Sequence, residues 1–427
     1  VLRSYTPPMP RQLPASIGQR LMWFLGHYRA ESASVNCPAA FRIHGRLDDD
    51  RIAAAVTRLE RRHDALRTTL ERDRRELVQV VHEEPTARIE WTSLPAGAED
   101  ELTEQYAAEL RAPIAVREWP VRWHVWRLGP EDTVLAANMH HLVSDAWSCG
   151  VLIDDVLALL GADGPAADLP PIGWQYPDYA AWQHGDAENG ALAAHQDYWK
   201  SKLDGMRMPA LPGTAAATGE PALALGTIPA DQADALRTFA KTHRTTLFSI
   251  MLSLYYRLLH QETGQADLTV ASLFANRMRP EVQKTVGFFA NMLALRTTLD
   301  PDRPFTDLLR ATQRTVMDAV VHQSVPYQMV PVPSLRDSGG RVDDVVFQML
   351  PDRRPESWNP TDVGAGLRID TFRPSQGLSR FGLNLTVIPR ATGFDVRLSY
   401  TRDRFTDAWA EDFVRRYVAL VPTILGV

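Results

Sequence analysis

The amino-acid sequence predicts an α/β protein, with α and β elements mixed (α+β) within each of two lobes. Three observations carry that expectation. The chain has 427 residues, more than one hydrophobic core ordinarily serves. Apolar patterns of helical and strand period alternate in both halves. Between the halves lies "GADGPAADLPPIG", a stretch with the Gly, Ala and Pro content of a linker. The break is expected around residues 162–180, giving an N-terminal lobe of 1–172 and a C-terminal lobe of 173–427.

The elements follow in order. In "ASIGQRLMWFLGHY", Ile17, Leu21, Phe24, Leu25 and Tyr28 recur at helical spacing behind Pro14, with Ser16 placed as an N-cap. A second helix is expected from Asp50 to about Leu70, with Ile52, Val56, Leu59, His63 and Leu66 on one stripe. Asp48 to Asp50 suit the positive end of its dipole. Strands follow in "LVQVV", "RIEW" and "VRWHVWRL", the last alternating Val121, Trp123 and Val125 against its other face. After the turn "GPED", "TVLAANMHH" reads as a buried strand. "WSCGVLIDDVLALLGAD" reads as the next helix, with Leu152, Ile153, Val156, Leu157 and Leu160 inward. "RMPALPGTAAATGEPALALG" reads as a long low-complexity loop. The pattern then restarts with the helix "TTLFSIMLSLYYRLLHQ", the strand "LTVASL" and a late hairpin of "LNLTVI" and "FDVRLSY" around Ala391 to Gly393.

Composition narrows the function. With 45% hydrophobic and 23% charged residues the chain is a soluble globular one, and a net charge of −6 gives nucleic acid no general attraction. No run approaches the roughly 18 apolar residues of a membrane span. "VLRSYTPPMP" lacks the apolar core of a signal peptide, so a cytoplasmic location and no membrane partner are expected. A start without Met, directly in Pro-rich sequence, predicts a segment of a longer polypeptide. Cys37 and Cys149 have no CxxC spacing and read as small buried hydrophobes, with neither a disulfide framework nor a cysteine zinc site.

The stretch with the most chemistry is "NMHHLVSDAWS", Asn138 to Ser148. Neighbours on a strand point to opposite faces, so only one of His140 and His141 can enter a given pocket. No third ligand nearby completes a zinc site, and no metal is expected. Neither Ser148 nor Cys149 sits in a Gly-x-Ser-x-Gly elbow. Two readings stay open from the residues alone: histidines packed in a core, or one exposed imidazole that takes a proton from an attacking amine or alcohol.

"MHHLVSDAWS" resembles the HHxxxDG motif of the condensation domains of nonribosomal peptide synthetases, in the superfamily of chloramphenicol acetyltransferase. Six further stretches are similar to the family's ordered motifs: "SIGQRLMWFL" (Ser16 to Leu25), "RRHDALRTTL" (Arg61 to Leu70), "YPDYAAWQ" (Tyr176 to Gln183), "VGFFANMLALR" (Val286 to Arg296), "HQSVPYQ" (His322 to Gln328) and a loosened "RDSGGRVDDVVFQM" (Arg336 to Met349). Seven in order across nearly the whole chain are a specific match. The resemblance implies two acetyltransferase-like lobes in a V, with a tunnel entered by phosphopantetheine arms of donor and acceptor carrier-protein domains. It also implies neighbouring synthetase modules, and no cofactor bound directly.

Carried onto this chain, the resemblance makes His141 the group that orients or deprotonates the acceptor, with His140 supporting it. Asp145 would pair with Arg277 of "FANRMRP" in the second lobe, and Arg67 and Asn291 would line or brace the tunnel. Trp147 and Ser148 complete the motif, and Ala146 departs from it by standing where the family has glycine. If that position needs a positive φ, alanine costs on the order of 1 kcal/mol. A second departure is Gly382 in "GLSRFGLNL", where the family has aspartate, and Pro351 to Pro374 lies where the family crosses between lobes. The implied reaction is amide formation between a carrier-bound acyl thioester and a carrier-bound aminoacyl group. Its alternatives are ester formation with a hydroxyl acceptor and a non-catalytic domain that docks a tailoring enzyme. Epimerase relatives share the two histidines but add a glutamate and a longer chain.

Overall fold

A computed structural model of the chain describes residues 10–28, 36–74, 76–161, 169–211, 221–333, 344–350, 361–364, 366–372, 381–390 and 392–426. The first part runs β1 (Arg11–Pro14), α1 (Ile17–Tyr28), β2 (Asn36–His44), α2 (Asp49–Arg62), β3 (Thr68–Asp73), β4 (Glu76–Val81) and β5 (Ile89–Ser93). It continues through α3 (Glu99–Arg111), β6 (Val121–Gly129), β7 (Asp132–His140), α4 (Ala146–Gly161) and α5 (Tyr176–Glu188). Then come α6 (Ala193–Leu203), β8 (Pro221–Pro229), α7 (Ala230–Thr242), α8 (Leu247–Thr263), β9 (Asp267–Phe274), β10 (Asn291–Thr298) and α9 (Phe305–Val321). The last elements are β11 (Val345–Met349), β12 (Thr361–Gly364), β13 (Leu367–Thr371), β14 (Leu383–Arg390), β15 (Gly393–Thr401) and α10 (Asp407–Leu425).

Two compact units form, each assembled from three stretches of chain. Unit 1 takes Val1–Gly190, Ala275–Ala290 and Arg354–Gln376, and unit 2 takes Ala191–Phe274, Asn291–Arg353 and Gly377–Val427. These limits differ from 1–172 and 173–427 in two ways. Helix α5 belongs to unit 1 because Tyr176 and Tyr179 pack into its core beside Phe289. Residues 275–290 and 354–376 return to unit 1 after unit 2 has begun.

In unit 1 a six-stranded sheet has the order β12-β13-β2-β7-β6-β5, and a separate three-stranded sheet the order β1-β4-β3. Strand β7 is buried on both sides. Leu135, Ala137 and Met139 pack with Ile52, Val56 and Leu59 of α2 and Leu152, Ile153 and Val156 of α4. Val134 and Ala136 pack on the other side with Leu102 and Tyr106 of α3. This accounts for a run of apolar residues in place of alternation. By the same period-two rule His140 shares the α3 side with Asn138, whose amide reaches the Glu109 carbonyl of α3 at 2.9 Å.

In unit 2 the sheet order is β10-β9-β11-β14-β15-β8, with β11 parallel to both neighbours. Helix α8 starts at an N-cap, Thr246, whose side chain accepts from the Ser249 N–H, and ends at Gly264, whose φ of 69° suits a residue without Cβ. Its Tyr255 packs against Phe347 of β11 and against Phe413 and Tyr417 of α10.

Three sequence expectations are corrected here. Helix α2 ends at Arg62, followed by a 3₁₀ turn at Asp64–Arg67 and then by β3, where Leu70 lies. The cause is His63: its backbone is extended, and its Nε2 and the Arg62 Nε both bond the Asp155 carboxylate, at 2.8 and 2.7 Å. His63, Leu66 and Leu70 stay buried, so the apolar stripe outlasts the helix. On α1, Phe24 is 59% exposed while Ser16 and Gln19 are buried, because those two polar residues hold the local backbone. The end of the expected central loop runs into β8, an edge strand with prolines only at its ends, where a missing N–H costs no ladder bond. Residues 162–168, 212–220, 336–343, 351–360 and 373–380, which carry parts of other expectations, lie outside the described residues, as do the side chains of Leu25 and Tyr28.

Candidate active site

The site is a turn between a buried strand and a helix. Residues 141–143 form the turn after His140 ends β7, and Ala146 opens α4. His140 is buried, and its Nδ1 accepts the Leu142 N–H at 3.0 Å. Its ring is therefore a neutral acceptor that shapes the turn. Burial, with His141 adding to it, pushes the His140 pKa from 6.5 down to about 4.

This has a consequence for stability. Between those two values the unfolded chain binds a proton that the native chain does not, so the contribution present above pH 6.5 is lost as pH falls toward about 4. The loss is on the order of 3 kcal/mol at about 1.4 kcal/mol per pH unit. His140→Asn is expected to flatten that part of the stability profile, checked by guanidinium unfolding of both proteins across the interval.

His141 is half-buried, and its ring stands edge-on to Phe288 with centroids 5.1 Å apart. Its Nδ1 lies 2.7 Å from the Ser144 carbonyl oxygen. A carbonyl only accepts, so Nδ1 carries the hydrogen and the neutral ring keeps its lone pair on Nε2. The chain places a proton acceptor at a fixed tautomer and orientation.

Asp145 fixes the turn from the other end. Its Oδ1 accepts from the Ser148 N–H and Oγ–H, both at 2.8 Å, as an N-cap of α4 does. Its Oδ2 accepts the N–H groups of Phe289 and Ala290 at 3.0 and 3.1 Å. Arg277 reaches the same carboxylate through one NH2 group, at 3.1 and 3.4 Å, and Ser148 Oγ at 2.9 Å. Its other terminal nitrogen donates to the carbonyls of Val282 and Thr285 at 2.7 and 2.6 Å, and its guanidinium lies 4.0 Å over the Phe289 ring. Both charged side chains are 1% exposed, so the pairing meets the requirement that buried charges be compensated. The expected Asp145–Arg277 pair is present, but as a single-nitrogen contact within unit 1, where Arg277 follows Asn276 at φ 52°.

Sequence reasoning placed Ser16 as an N-cap but did not single out the residues that act with it in holding this arrangement. Ser16 and Gln19 cap α1 reciprocally, Ser16 N–H to Gln19 Oε1 at 2.9 Å and Gln19 N–H to Ser16 Oγ at 3.1 Å. The signal was available in the Ser-x-x-Gln spacing. The Gln19 amide then donates to the Leu142 carbonyl at 2.9 Å, tying α1 to the histidine turn. Tyr176 donates to the Phe288 carbonyl at 2.7 Å, and its ring lies against Gly287, where an added Cβ would stand 2.1 Å from Cδ2. Gly287→Ala is therefore expected to displace Tyr176 and loosen the contacts of Ser148 Oγ with Gly287, whose N–H donates to that oxygen at 3.0 Å and whose carbonyl lies 2.9 Å from it. The stability loss is about 1–3 kcal/mol, read from the guanidinium midpoint.

The remaining candidates divide. Ser148 is buried in the clamp. Trp147 is 44% exposed and donates to the Gln283 carbonyl at 2.9 Å, so it is not core packing. Ala146 is exposed and is not among the positive-φ residues, so the backbone penalty considered for it does not arise. Arg67 bonds the Glu60 and His82 carbonyls and Asp64, bracing the turn between α2 and β3. Asn291 lies in unit 2, donating to the Gln323 carbonyl at 2.6 Å.

Two α/β units, one bearing a double-histidine turn clamped by a buried aspartate and arginine, make up the chloramphenicol acetyltransferase-like fold. Within it the chain belongs to the condensation-domain family, whose model, described as "Condensation domain", matches residues 10–426. It is 30% identical to one of the linear gramicidin synthase proteins of Brevibacillus parabrevis over 98% of its own length, and spans 6% of that protein. The X-domain from teicoplanin biosynthesis matches with a TM-score of 0.84 at 22% identity, over 100% of this chain and 97% of that one. That X-domain is also known in a complex with OxyB. The first condensation domain of the calcium-dependent antibiotic synthetase, in complex with a substrate analogue, matches with a TM-score of 0.78 at 16% identity, over 97% of this chain and 96% of that one. At these identities the structural likeness establishes the fold. No helix among the described residues is long and apolar enough to cross a membrane.

Proposed function

We propose that the chain forms an amide between an acyl or peptidyl thioester on one carrier domain and an aminoacyl group on another. The observation that carries this reading is the His141 tautomer, held by the Ser144 carbonyl with the lone pair on Nε2. The acceptor nitrogen attacks the thioester carbonyl carbon, the C–N bond forms, and the C–S bond breaks to release the donor arm's thiol. Nε2 takes the proton the nitrogen loses and returns it to the leaving sulfur, or holds the nitrogen in line for attack. His140 acts through the turn and touches no substrate. The phosphopantetheine arms are part of the substrates, brought by carrier domains of neighbouring synthetase modules.

The test loads a donor carrier with an acyl thioester and an acceptor carrier with an aminoacyl group, and follows transfer by intact mass. Transfer by the native chain, strongly slowed in His141→Ala, is the expected result. A hydroxyacyl acceptor in the same assay separates ester from amide formation. A second reading, a docking domain without chemistry, draws on the similarity to the X-domain and on Ala146 in place of the motif glycine. It prevails if the folded native chain transfers nothing across several matched substrate pairs.

A further inference from the structure

Cys37 and Cys149 are 112 positions apart, yet their sulfurs stand 3.5 Å from each other in unit 1. Cys37 lies on β2, paired across the ladder with Met139 of β7, and is partly exposed. Cys149 is buried in the first turn of α4, where its N–H donates to the Asp145 carbonyl at 3.1 Å and its sulfur sits 3.6 Å from the Pro38 carbonyl. No disulfide joins them. Each is anchored by an element whose position is fixed by the core, so the pair is held together by the fold rather than by local sequence.

We propose that Cys37 and Cys149 form a built thiol pair that closes to an intramolecular disulfide under mild two-electron oxidation by a peroxide. The sulfur of Cys37, the less buried of the two residues, attacks a peroxide oxygen; the O–O bond breaks, and with hydrogen peroxide a sulfenic acid and one water result. The Cys149 sulfur then attacks the sulfenic sulfur, the S–S bond forms, and a second water leaves. Two thiols and one hydrogen peroxide give one disulfide and two waters, with two electrons passing from sulfur to the peroxide. The sulfurs approach from 3.5 Å to about 2.05 Å. The bond would join β2 covalently to the helix that Asp145 caps, one residue after Ser148. The inference is independent of the acyl-transfer reading.

The experiment treats the folded chain with a small molar excess of hydrogen peroxide, quenches with an alkylating agent in denaturant, and maps peptides without reduction. The expected product is one linked pair joining the Cys37 and Cys149 peptides, two hydrogens lighter than their sum, with alkylation falling from two thiols to none and restored by dithiothreitol. Cys149→Ala is expected to leave Cys37 as a sulfenic acid trapped by dimedone, and Cys37→Ser to leave Cys149 fully alkylated after the same dose. Two alkylated thiols in the oxidised native chain, irreversible oxidation without a link, or a link only between chains would each overturn the proposal. The native-chain map does not depend on either variant folding.

Discussion

Asp145→Ala is expected to lower unfolding stability by about 3–5 kcal/mol, the cost of leaving one partner of a buried ion pair uncompensated. Arg277 would keep its charge with its counter-ion gone, and the N–H groups of Ser148, Phe289 and Ala290 would lose their acceptor. Asp145→Asn, which retains one acceptor oxygen, is expected to lose less. Guanidinium unfolding of both variants checks this order, and a midpoint unchanged in Asp145→Ala would show that the clamp carries no stability. The double variant Asp145→Leu, Arg277→Met is expected to recover part of the loss, because no charge then remains buried. Acyl transfer is expected to fall in all of them, since the same carboxylate holds the end of the turn that presents His141.

His141→Ala is expected to slow acyl transfer by about 10²–10⁴-fold, the usual contribution of a positioned proton acceptor. In the proposed reaction the ring acts on the transferred proton, so the loss should fall on kcat, with KM for either carrier little changed. Stability should barely move, since the ring is half-buried. His140→Asn should show the opposite division: a changed stability profile and a smaller change in rate. Equal rate losses in both variants would assign His141 to holding the turn alone.

Much of this site was legible because it is written locally. The strand leading to His140, Asp145 in the turn before a helix, and that helix follow from spacing within Asn138 to Ser148; the capping role of Asp145 does not, and His141 stands in the turn rather than on the strand. The arginine came from the resemblance, since nothing in "FANRMRP" alone separates a buried guanidinium from a surface one. What hydropathy hid was satisfied polarity: Gln19 is buried because its amide is fully engaged, while Phe24 on the same helix is exposed. The end of α2 was hidden for a related reason. The stripe through Leu66 and Leu70 continues in buried positions, and the chain leaves the helix because His63 turns to Asp155, a partner 92 positions away. The support from Tyr176 and Gly287 is a steric fit between distant residues, which no periodicity encodes.

The interlacing of the two units sets an order in time as well as in space. On the ribosome Asp145 emerges 132 residues ahead of Arg277, and the edge of β2 has no neighbour on that side until β13 follows at Leu367–Thr371. Until Arg277 is made the Asp145 carboxylate lacks that counter-ion, and until β13 is made β2 lacks that neighbour; an open strand edge favours wrong partners. Closure of unit 1 must wait for most of unit 2 to be synthesised. The same order constrains recombination: a chimaera joined near residue 172 would give this aspartate an arginine, and this sheet a last pair of strands, inherited from a different parent.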